Sequence, residues 1–233
     1  MNVKDVSVIV TSFNEQTNIS RCLEGVKDFG EIILVDSFST DDTLDIARSY
    51  PAVIYSRAYR SAAKQKNWAL DRARNRWVLV LDADEALSEN LRLEIERLDI
   101  EDGCSGFWIR RESHYLDGPI RHCGWQRDKV LRLFDRAQGR YEEREVHEEV
   151  TLEGKVATLN GKLEHFPYWR IEQHLDKIEE YTTRGAVDYV ERGGRLAVVN
   201  MILHPPFRFL RMYVMQRGFL DGRRGFILCL LSS

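Results

Sequence analysis

The chain has 233 residues, of which 43% are hydrophobic, and its formal net charge is −3. That length and composition allow one substantial core, or one core with an appendage. The negative charge argues against a nucleic-acid-binding protein that is held by general electrostatic attraction.

The first hundred residues alternate predicted strands and helices with short connections. Apolar, β-branched runs predict strands over 6–10, 31–35, 53–55 and 77–81. Helices are predicted after caps at Thr17 and Thr40, and over 61–74. Repeated strand–helix units of this length predict an α/β fold with a mostly parallel central sheet that is flanked by helices.

The second half of the chain has a different pattern. Strands are predicted over 106–111 and 129–134, and a helix is predicted over 171–191. The prolines of His204-Pro205-Pro206 disfavour a helix that runs through them. The predicted organisation is therefore a domain over 1–203, followed by a basic amphipathic helical tail over 204–233.

The fourth predicted strand ends abruptly in acids, because 77–85 reads Trp-Val-Leu-Val-Leu-Asp-Ala-Asp-Glu. Asp82 and Asp84 can reach one cation from a local turn, and their hard oxygen ligands suit Mg²⁺ or Mn²⁺. In open α/β sheets, ligands bind at the carboxyl ends of the strands. The structural alternative is that Asp84 or Ser88 only caps the helix that follows.

A nucleotide is the natural ligand for this half of the chain. The loop after the first strand, Thr11-Ser-Phe-Asn-Glu15, contains no Gly-x-Gly-x-x-Gly fingerprint, and the chain has no Walker pattern. The charge of bound phosphates would therefore fall to a metal at Asp82 and Asp84. Asp36, at the end of the second strand, could accept hydrogen bonds from a base or ribose, or could be a turn residue.

Four segments, in this order and spacing, resemble the successive signatures of family 2 glycosyltransferases. They are Val-Ile-Val-Thr-Ser-Phe-Asn-Glu (8–15), Leu-Val-Asp-Ser-Phe-Ser-Thr-Asp-Asp-Thr (34–43), Gln-Lys-Asn-Trp-Ala-Leu (65–70) and Leu-Asp-Ala-Asp-Glu (81–85). Two later segments, 139–148 and 163–166, resemble a bacterial branch that includes lipopolysaccharide core β-glucosyltransferases. The resemblance implies a GT-A fold, which is Rossmann-like, and an inverting transfer from a nucleotide-diphosphate sugar.

The same resemblance assigns roles to individual residues. It implies that the nucleotide sugar is bound by Thr11, Phe13, Glu15, Asp36, Lys66 and Asp82. It implies Mg²⁺ or Mn²⁺ as the cofactor, with Asp84 as the main ligand and Asp82 and His165 as the others. A lone histidine before an aromatic residue can equally be structural, and His147 has the same ambiguity.

The catalytic base is expected to be a carboxylate that takes the proton of the acceptor hydroxyl. Family members often carry Glu-Asp after the Asp-x-Asp, and this chain has no such pair there. We choose Glu148, because Val-His-Glu matches the motif of the bacterial branch, and keep Glu149 and Glu145 as alternatives. The five glutamates between positions 142 and 149 form a dense acidic cluster. Such a cluster is otherwise typical of a solvated face.

Two further features concern the acceptor. Trp125 lies in a polar stretch and is placed on the acceptor side, although aromatic residues more often fill a core. From His204 onwards there are five arginines and one acid, Asp221, among aromatic residues and leucines. This composition suits a segment in a membrane interface; the alternative is a helix that packs on the catalytic domain.

The cysteines and the apolar runs bear on localisation. Cys22, Cys104, Cys123 and Cys229 form no Cys-x-x-Cys pair, so we expect free thiols in a reducing compartment. We expect no signal peptide, and no apolar run approaches the roughly 18 residues of a membrane span. The expected location is the cytoplasm, peripheral on the cytoplasmic face of the inner membrane.

The sequence thus predicts a metal-assisted inverting glycosyltransferase. We expect it to move a sugar, glucose by resemblance, from a UDP-sugar to a lipopolysaccharide-core or other lipid-linked acceptor. One alternative is a non-catalytic module that binds nucleotide sugars, which the retention of Asp82 and Asp84 disfavours. A sugar nucleotidyltransferase, the other alternative, would carry a glycine-rich, arginine-containing loop after the first strand, and this chain does not.

Overall fold

The computed structural model describes residues 1–100, 103–142, 149–179, 182 and 197–233. The chain forms two compact units, each described separately below. The first comprises Met1–Arg111 and Lys129–His165, and the second comprises Glu112–Asp128 and Phe166–Ser233. The predicted division into 1–203 and 204–233 stays a prediction.

The first unit is built on four parallel strands. They are β1 (Val6–Ser12), β2 (Glu31–Asp36), β3 (Val53–Ser56) and β4 (Trp77–Asp82), in the spatial order β3-β2-β1-β4. Val8 and Val10 of β1 pack into the core on one face of the sheet, and Ile9 packs into the core on the other. This alternation is what an extended backbone produces, and the apolar runs arise because both faces are covered. All four predicted strands are confirmed.

The helices of this unit are short. They are α1 (Ile19–Glu24), α2 (Thr43–Ala47), α3 (Ala62–Leu70) and α4 (Glu89–Glu96). Ser61 caps α3 by accepting a hydrogen bond from the backbone N–H of Lys64, and Ser88 caps α4 by accepting one from Leu91. The helix predicted over 61–74 therefore ends four residues early.

The caps predicted at Thr17 and Thr40 are wrong, because α1 begins after Asn18 and α2 begins after Asp42. The loops before these helices bind each other instead of starting helices. Asn14 accepts a hydrogen bond from the backbone N–H of Thr40 at 2.8 Å and donates its own backbone N–H to Ser39 at 2.8 Å.

The remaining strands make the sheet mixed. They are β5 (Glu85–Leu87), β6 (Cys104–Tyr115), β7 (Gly118–Pro119), β8 (Lys129–Asp135) and β11 (Lys155–Tyr168), while β9 (Gly139–Tyr141) and β10 (Val150–Leu152) form a separate antiparallel pair. The order is β3-β2-β1-β4-β8-β6-β11-β5, and β8 runs antiparallel to β4. The predicted GT-A fold is confirmed, and the parallel pattern holds for its first four strands.

The second unit is largely helical where it is described. Its helices are α5 (171–179), α6 (Ala197–Leu210), a π-helical segment at Arg211–Met215 and α7 (Gly222–Leu231). A small core is formed by Tyr115, Ile120, Cys123, Met212, Leu228 and Cys229. No helix in the described ranges is long and apolar enough to cross a bilayer.

The interruption predicted at His204-Pro205-Pro206 is wrong, because α6 contains both prolines. A proline removes one backbone hydrogen bond and strains the preceding turn, but its fixed φ is itself helical. The helix predicted over 171–191 was expected to have Leu175 on its inner face, but Leu175 is exposed and His174 is buried against Tyr115. The predicted range beyond 179 lies outside the described residues, except for Thr182.

Candidate active site

The carboxyl ends of three parallel strands bring the first set of predicted residues together. Ser12 pairs with Asp36 across β1 and β2, and Thr11 pairs with Asp82 across β1 and β4. Because parallel strands in register end at the same edge of a sheet, these side chains share one rim. We call Thr11, Asp36, Lys66, Asp82 and Asp84 the strand-end site.

Asp82 is surrounded by hydrogen-bond donors. The Thr11 hydroxyl donates to its Oδ1 at 3.1 Å, and the Lys66 ammonium lies 2.8 Å from the same oxygen. Arg132 binds the other oxygen, Oδ2. Burial alone would raise the pKa of Asp82, but the charges of Arg132 and Lys66 outweigh it and hold that pKa well below its usual range. Asp82 is therefore ionised and paired.

Lys66 reaches this carboxylate from inside the protein. Its side chain is only 1% exposed, and its ammonium also lies 5.3 Å from the centre of the Tyr141 ring. A buried ammonium is tolerated only when opposite charge accompanies it. The pairing with Asp82 therefore fixes the position of a positive charge beside the end of β4.

Arg132 is a residue that the sequence reasoning missed. It lies on β8 and joins Asp82 to the fully buried Glu85, whose Oε1 is 2.8 Å from the guanidinium and 3.3 Å from that of Arg111. The other oxygen of Glu85 accepts the backbone N–H of Asp82 at 3.0 Å. An arginine between two leucines in a buried strand, Leu131 and Leu133, was the sequence signal that could have revealed it.

Asp84 has a different environment from Asp82. Its Oδ2 is 3.4 Å from Nε2 of His165, and its Oδ1 is buried with no hydrogen-bond partner among the described residues. Burial lowers the pKa of His165, but the hydrogen bond and charge of Asp84 more than compensate, so the net shift is upwards. The predicted pairing of Asp84 and His165 in space is thus observed.

Glu15 adds a third acid near Asp84. Burial and then the charge of Asp84 raise the pKa of Glu15 to about 7, against a hydrogen bond from Asn18 that lowers it. The amide of Asn18 donates to Glu15 at 2.8 Å. The rim therefore concentrates acids around Asp84, whereas Asp82 is neutralised by Lys66 and Arg132.

The described residues contain no group of three or more His, Cys, Asp or Glu side chains arranged to hold a metal ion. Asp82 is bound by two cations, whereas Asp84 keeps one buried oxygen unpartnered. A hard oxygen without a partner is what Mg²⁺ or Mn²⁺ binds, so Asp84 fits the predicted ligand. The metal roles of Asp84, Asp82 and His165 stay predictions.

Asp36, which was predicted to contact the nucleoside, is the last residue of β2. This carboxylate is fully buried and accepts hydrogen bonds from the Ser12 hydroxyl at 2.8 Å and from the backbone N–H of Ser39 at 2.7 Å. Phe13 and Phe38, on the two loops that follow β1 and β2, are each 57% exposed. The sequence analysis assigned no role to Phe38. This residue has a left-handed φ of 64°, and its ring is exposed beside the site.

The predicted base Glu148 lies outside the described residues, whereas the predicted acceptor residue Trp125 lies within them. Glu148 and Glu145 lie outside the described residues, as does His147. The alternative base Glu149 is described, and its carbonyl accepts the backbone N–H of Glu142 at 2.9 Å. Trp125 lies in the second unit, half-buried, and its role on the acceptor side stays a prediction.

The comparison with known proteins decides the family. The model of glycosyl transferase family 2 matches residues 7–151, which contain all four signature segments. The chain belongs to this family. It is therefore a glycosyltransferase, and the resemblance drawn from the sequence is confirmed.

This family 2 enzyme has bacterial relatives over nearly its whole length. The lipopolysaccharide core biosynthesis glycosyltransferase LpsC of Rhizobium meliloti (strain 1021) is 32% identical over 230 residues, covering 95% of this chain and 85% of the relative. An uncharacterized glycosyltransferase of Rickettsia prowazekii (strain Madrid E) is 29% identical, covering 97% and 82%. The enzyme is thus related to lipopolysaccharide core biosynthesis proteins.

A solved structure supports the fold of the family 2 enzyme. The crystal structure of S. aureus TarS 1–349 has a TM-score of 0.53 and 15% sequence identity, covering 100% of this chain and 90% of that one. At this identity the similarity concerns the fold alone.

Proposed function

We propose that this glycosyltransferase transfers the sugar of a UDP-sugar, with inversion, to a lipopolysaccharide-core or other lipid-linked acceptor. The observation that carries the proposal is the contrast between two acids of one turn. Asp82 is neutralised by Lys66 and Arg132, while Asp84 presents an unpartnered buried oxygen beside His165. A site that receives a diphosphate needs both positive charge and a free metal ligand.

The donor would be held by residues with separate tasks. Asp84, with His165 and Asp82 in support, would hold Mg²⁺ or Mn²⁺, which supplies Lewis-acid neutralisation of the diphosphate leaving group. Lys66 would contribute a fixed positive charge next to the phosphates. Thr11, Phe13, Glu15 and Asp36 would line the nucleoside pocket, and the exposed ring of Phe13 offers a stacking surface.

The acceptor would be activated by a carboxylate. Glu148 is our proposed base, with Glu149 and Glu145 as alternatives, and it would take the proton of the attacking hydroxyl. Inversion at the anomeric carbon is a single in-line displacement, so one base and one neutralised leaving group suffice. The relation to LpsC supports a lipopolysaccharide-core acceptor.

A membrane-bound acceptor fits the surface of the second unit. Large apolar side chains are exposed along α6, the π-helical segment, the 3-10 turn at Gly218–Asp221 and α7. We call them the apolar tail face: Ile202, Leu203, Phe207, Leu210, Val214, Met215, Phe219, Leu220, Phe226 and Leu230. Five arginines lie in the same stretch. Exposed apolar side chains mixed with cations suit the interface of an anionic bilayer. This supports a peripheral location on the cytoplasmic face of the inner membrane.

The test is release of UDP from UDP-glucose and a panel of other UDP-sugars, with and without Mg²⁺ or Mn²⁺. We expect metal-dependent release, abolished by Asp84→Asn and retained by Asp45→Asn, which changes an exposed acid that pairs only with nearby Arg48 in the described structure. Release of pyrophosphate from UTP and a sugar phosphate would instead indicate a nucleotidyltransferase. Binding of UDP-sugars without turnover, in the presence of lipopolysaccharide-core acceptors, would indicate the non-catalytic module.

A further inference from the structure

A second concave site lies within the second unit. A cavity of about 350 Å³, which we call the arginine cavity, is lined among others by Trp125, His204, Phe207, Arg208, Arg211 and Gln216. Its volume is at the lower end of the roughly 300–1,000 Å³ of small-molecule pockets. No acidic side chain lines it, and across the described residues neither the Arg208 side chain nor the Arg211 side chain has an ion pair or hydrogen bond.

The two arginines lie side by side for a structural reason. Arg208 is in the last turn of α6, and Arg211 opens the π-helical segment three positions later. Residues three apart lie on one face of a helix, and both arginines line the same cavity. An anion bound between two neighbouring cations gains attraction from both. A π-helical turn is also a feature found frequently at functional sites.

The acid that could have paired with them is already occupied. Asp221 is the one carboxylate from His204 onwards. It accepts the backbone N–H groups of Arg121 and His122 at 3.2 and 2.8 Å, and the ring Nδ1 of His122 lies 2.9 Å away. Arg208 and Arg211 therefore keep their charge available to a ligand.

Another part of the cavity lining, at Cys123 and Gly124, has an unusual backbone conformation. Cys123 has a φ of 61° and Gly124 has a φ of 91°, both left-handed. The backbone N–H of Cys123 donates to the carbonyl of Gln216 at 3.2 Å, and a Cβ on Gly124 would lie only 2.6 Å from the Gln216 side chain. Strain of this kind persists where the surroundings over-determine it, as in ligand sites. These contacts hold the backbone that precedes Trp125.

We propose that the arginine cavity binds a phosphate group attached to a sugar. Paired guanidinium forks match phosphate oxygens bidentately, and Trp125 offers an indole surface for the sugar ring. A neutral sugar alone would leave two neighbouring cations uncompensated. The proposal rests on the proposed function, since it makes the phosphate part of the acceptor, and it narrows that acceptor to a phosphorylated one.

The direct test is binding of glucose 6-phosphate, measured by titration calorimetry, with glucose as the uncharged comparison. We expect R208Q/R211Q to weaken binding at least tenfold. R217Q/R223Q removes two arginines of the same stretch outside the cavity and should change binding less than twofold. R208K/R211K keeps the charge but loses the bidentate forks, so it should weaken binding by an intermediate factor while circular dichroism confirms the fold. Equal loss in the two glutamine variants, or no loss in either, would overturn the proposal.

A second measurement identifies the source of the phosphate. Flotation with phosphatidylglycerol vesicles is compared with phosphatidylcholine vesicles. If the headgroup is the ligand, R208Q/R211Q loses phosphatidylglycerol binding more than R217Q/R223Q does, and glucose 6-phosphate competes. If a glycan phosphate is the ligand, both variants lose vesicle binding equally and only R208Q/R211Q loses glucose 6-phosphate. The first result overturns the acceptor assignment, and the second supports it.

Release of UDP by the unaltered protein separates the two proposals. If glucose 6-phosphate binds through Arg208 and Arg211 but no UDP-sugar is turned over, the transferase proposal fails and the phosphate site stands. If UDP-sugars are turned over but glucose 6-phosphate does not bind, the phosphate proposal fails alone.

Discussion

The strand-end site and the arginine cavity differ in whether their positively charged side chains are paired with acids. In the first, Lys66 and Arg132 are buried and paired with Asp82. In the second, Arg208 and Arg211 line a cavity without an acid. A buried charge must be compensated inside the protein, because desolvation costs several kcal/mol per ion. An exposed charge is hydrated and needs no partner inside the protein, so what distinguishes Arg208 and Arg211 is that both line the same cavity.

The largest expected effect concerns the base of the transfer reaction. Glu148→Gln should lower kcat by about 10²–10⁴-fold, since it removes the group that takes the acceptor proton. Glu149→Gln and Glu145→Gln serve as matched controls and should each lower kcat far less. If either control falls further than Glu148→Gln, that residue is the base and our choice is wrong. Steady-state kinetics with a lipopolysaccharide-core acceptor measure this.

The next effect tests the paired side of the comparison. Arg132→Met should lower the free energy of unfolding by about 3–5 kcal/mol, because it leaves Glu85 and Asp82 with less compensation in a buried place. Arg208→Met should change it by less than about 0.5 kcal/mol, as expected for a surface substitution. Urea denaturation measures both. Similar losses of unfolding free energy in the two variants would contradict the distinction between the paired Arg132 and the unpaired Arg208.

A pH effect is expected at Glu15. Its pKa is raised from 4.5 to about 7, so the folded state holds a proton that the unfolded state has lost. Stability therefore falls as pH rises from about 4.5 to 7, and the penalty is complete above that range. With divalent metal ions removed by a chelator, Glu15→Gln should be about 1–3 kcal/mol more stable than the wild type at pH 8. This advantage should vanish below about pH 4.5.

Urea denaturation at both pH values provides the check. Asp45→Asn, at an exposed carboxyl far less enclosed than Glu15, should show no such pH-dependent gain. An advantage for Glu15→Gln that is the same at both pH values would contradict the assigned protonation.

The smallest effect concerns the apolar tail face. R217Q/R223Q should weaken partitioning onto phosphatidylglycerol vesicles by about 1 kcal/mol per arginine, and the loss should diminish at high salt. Substitution is preferable to deletion of 204–233, because Met212, Leu228 and Cys229 of this stretch form part of the core of the second unit. Flotation of the wild type and the variant to the same extent would count against electrostatic membrane attachment.

The sequence was most informative where local pattern and tertiary structure agree. The four parallel strands are continuous apolar runs, so their positions followed from composition, and the carboxyl ends of those strands placed Thr11, Asp36, Asp82 and Asp84 at one edge. The family resemblance added roles for Lys66 and His165 that no periodicity contains. Confirmed proximity is not a confirmed role, and the metal and nucleotide contacts stay predictions.

What the sequence could not provide were contacts between distant residues. Arg132 meets Asp82 across 50 positions and Glu85 across 47, and no local pattern encodes such a meeting. The caps predicted at Thr17 and Thr40 were wrong for a related reason. The loops that follow β1 and β2 are hydrogen-bonded to each other across about 26 positions. The helix interruption predicted at Pro205 and Pro206 was wrong because the local cost of proline in a helix was outweighed by the surrounding fold.

The short strand β5 has an evolutionary consequence. Glu85 pairs with His165 of β11, and the same Glu85 accepts the backbone N–H of Asp82. The turn that carries Asp84 is therefore tied at both ends within four residues. An insertion or deletion between positions 82 and 87 would shift Asp84 away from His165, whereas the same change in the connection after α4 would leave both in place. Changes in length are therefore expected to be rarer in this turn than in the connection after α4.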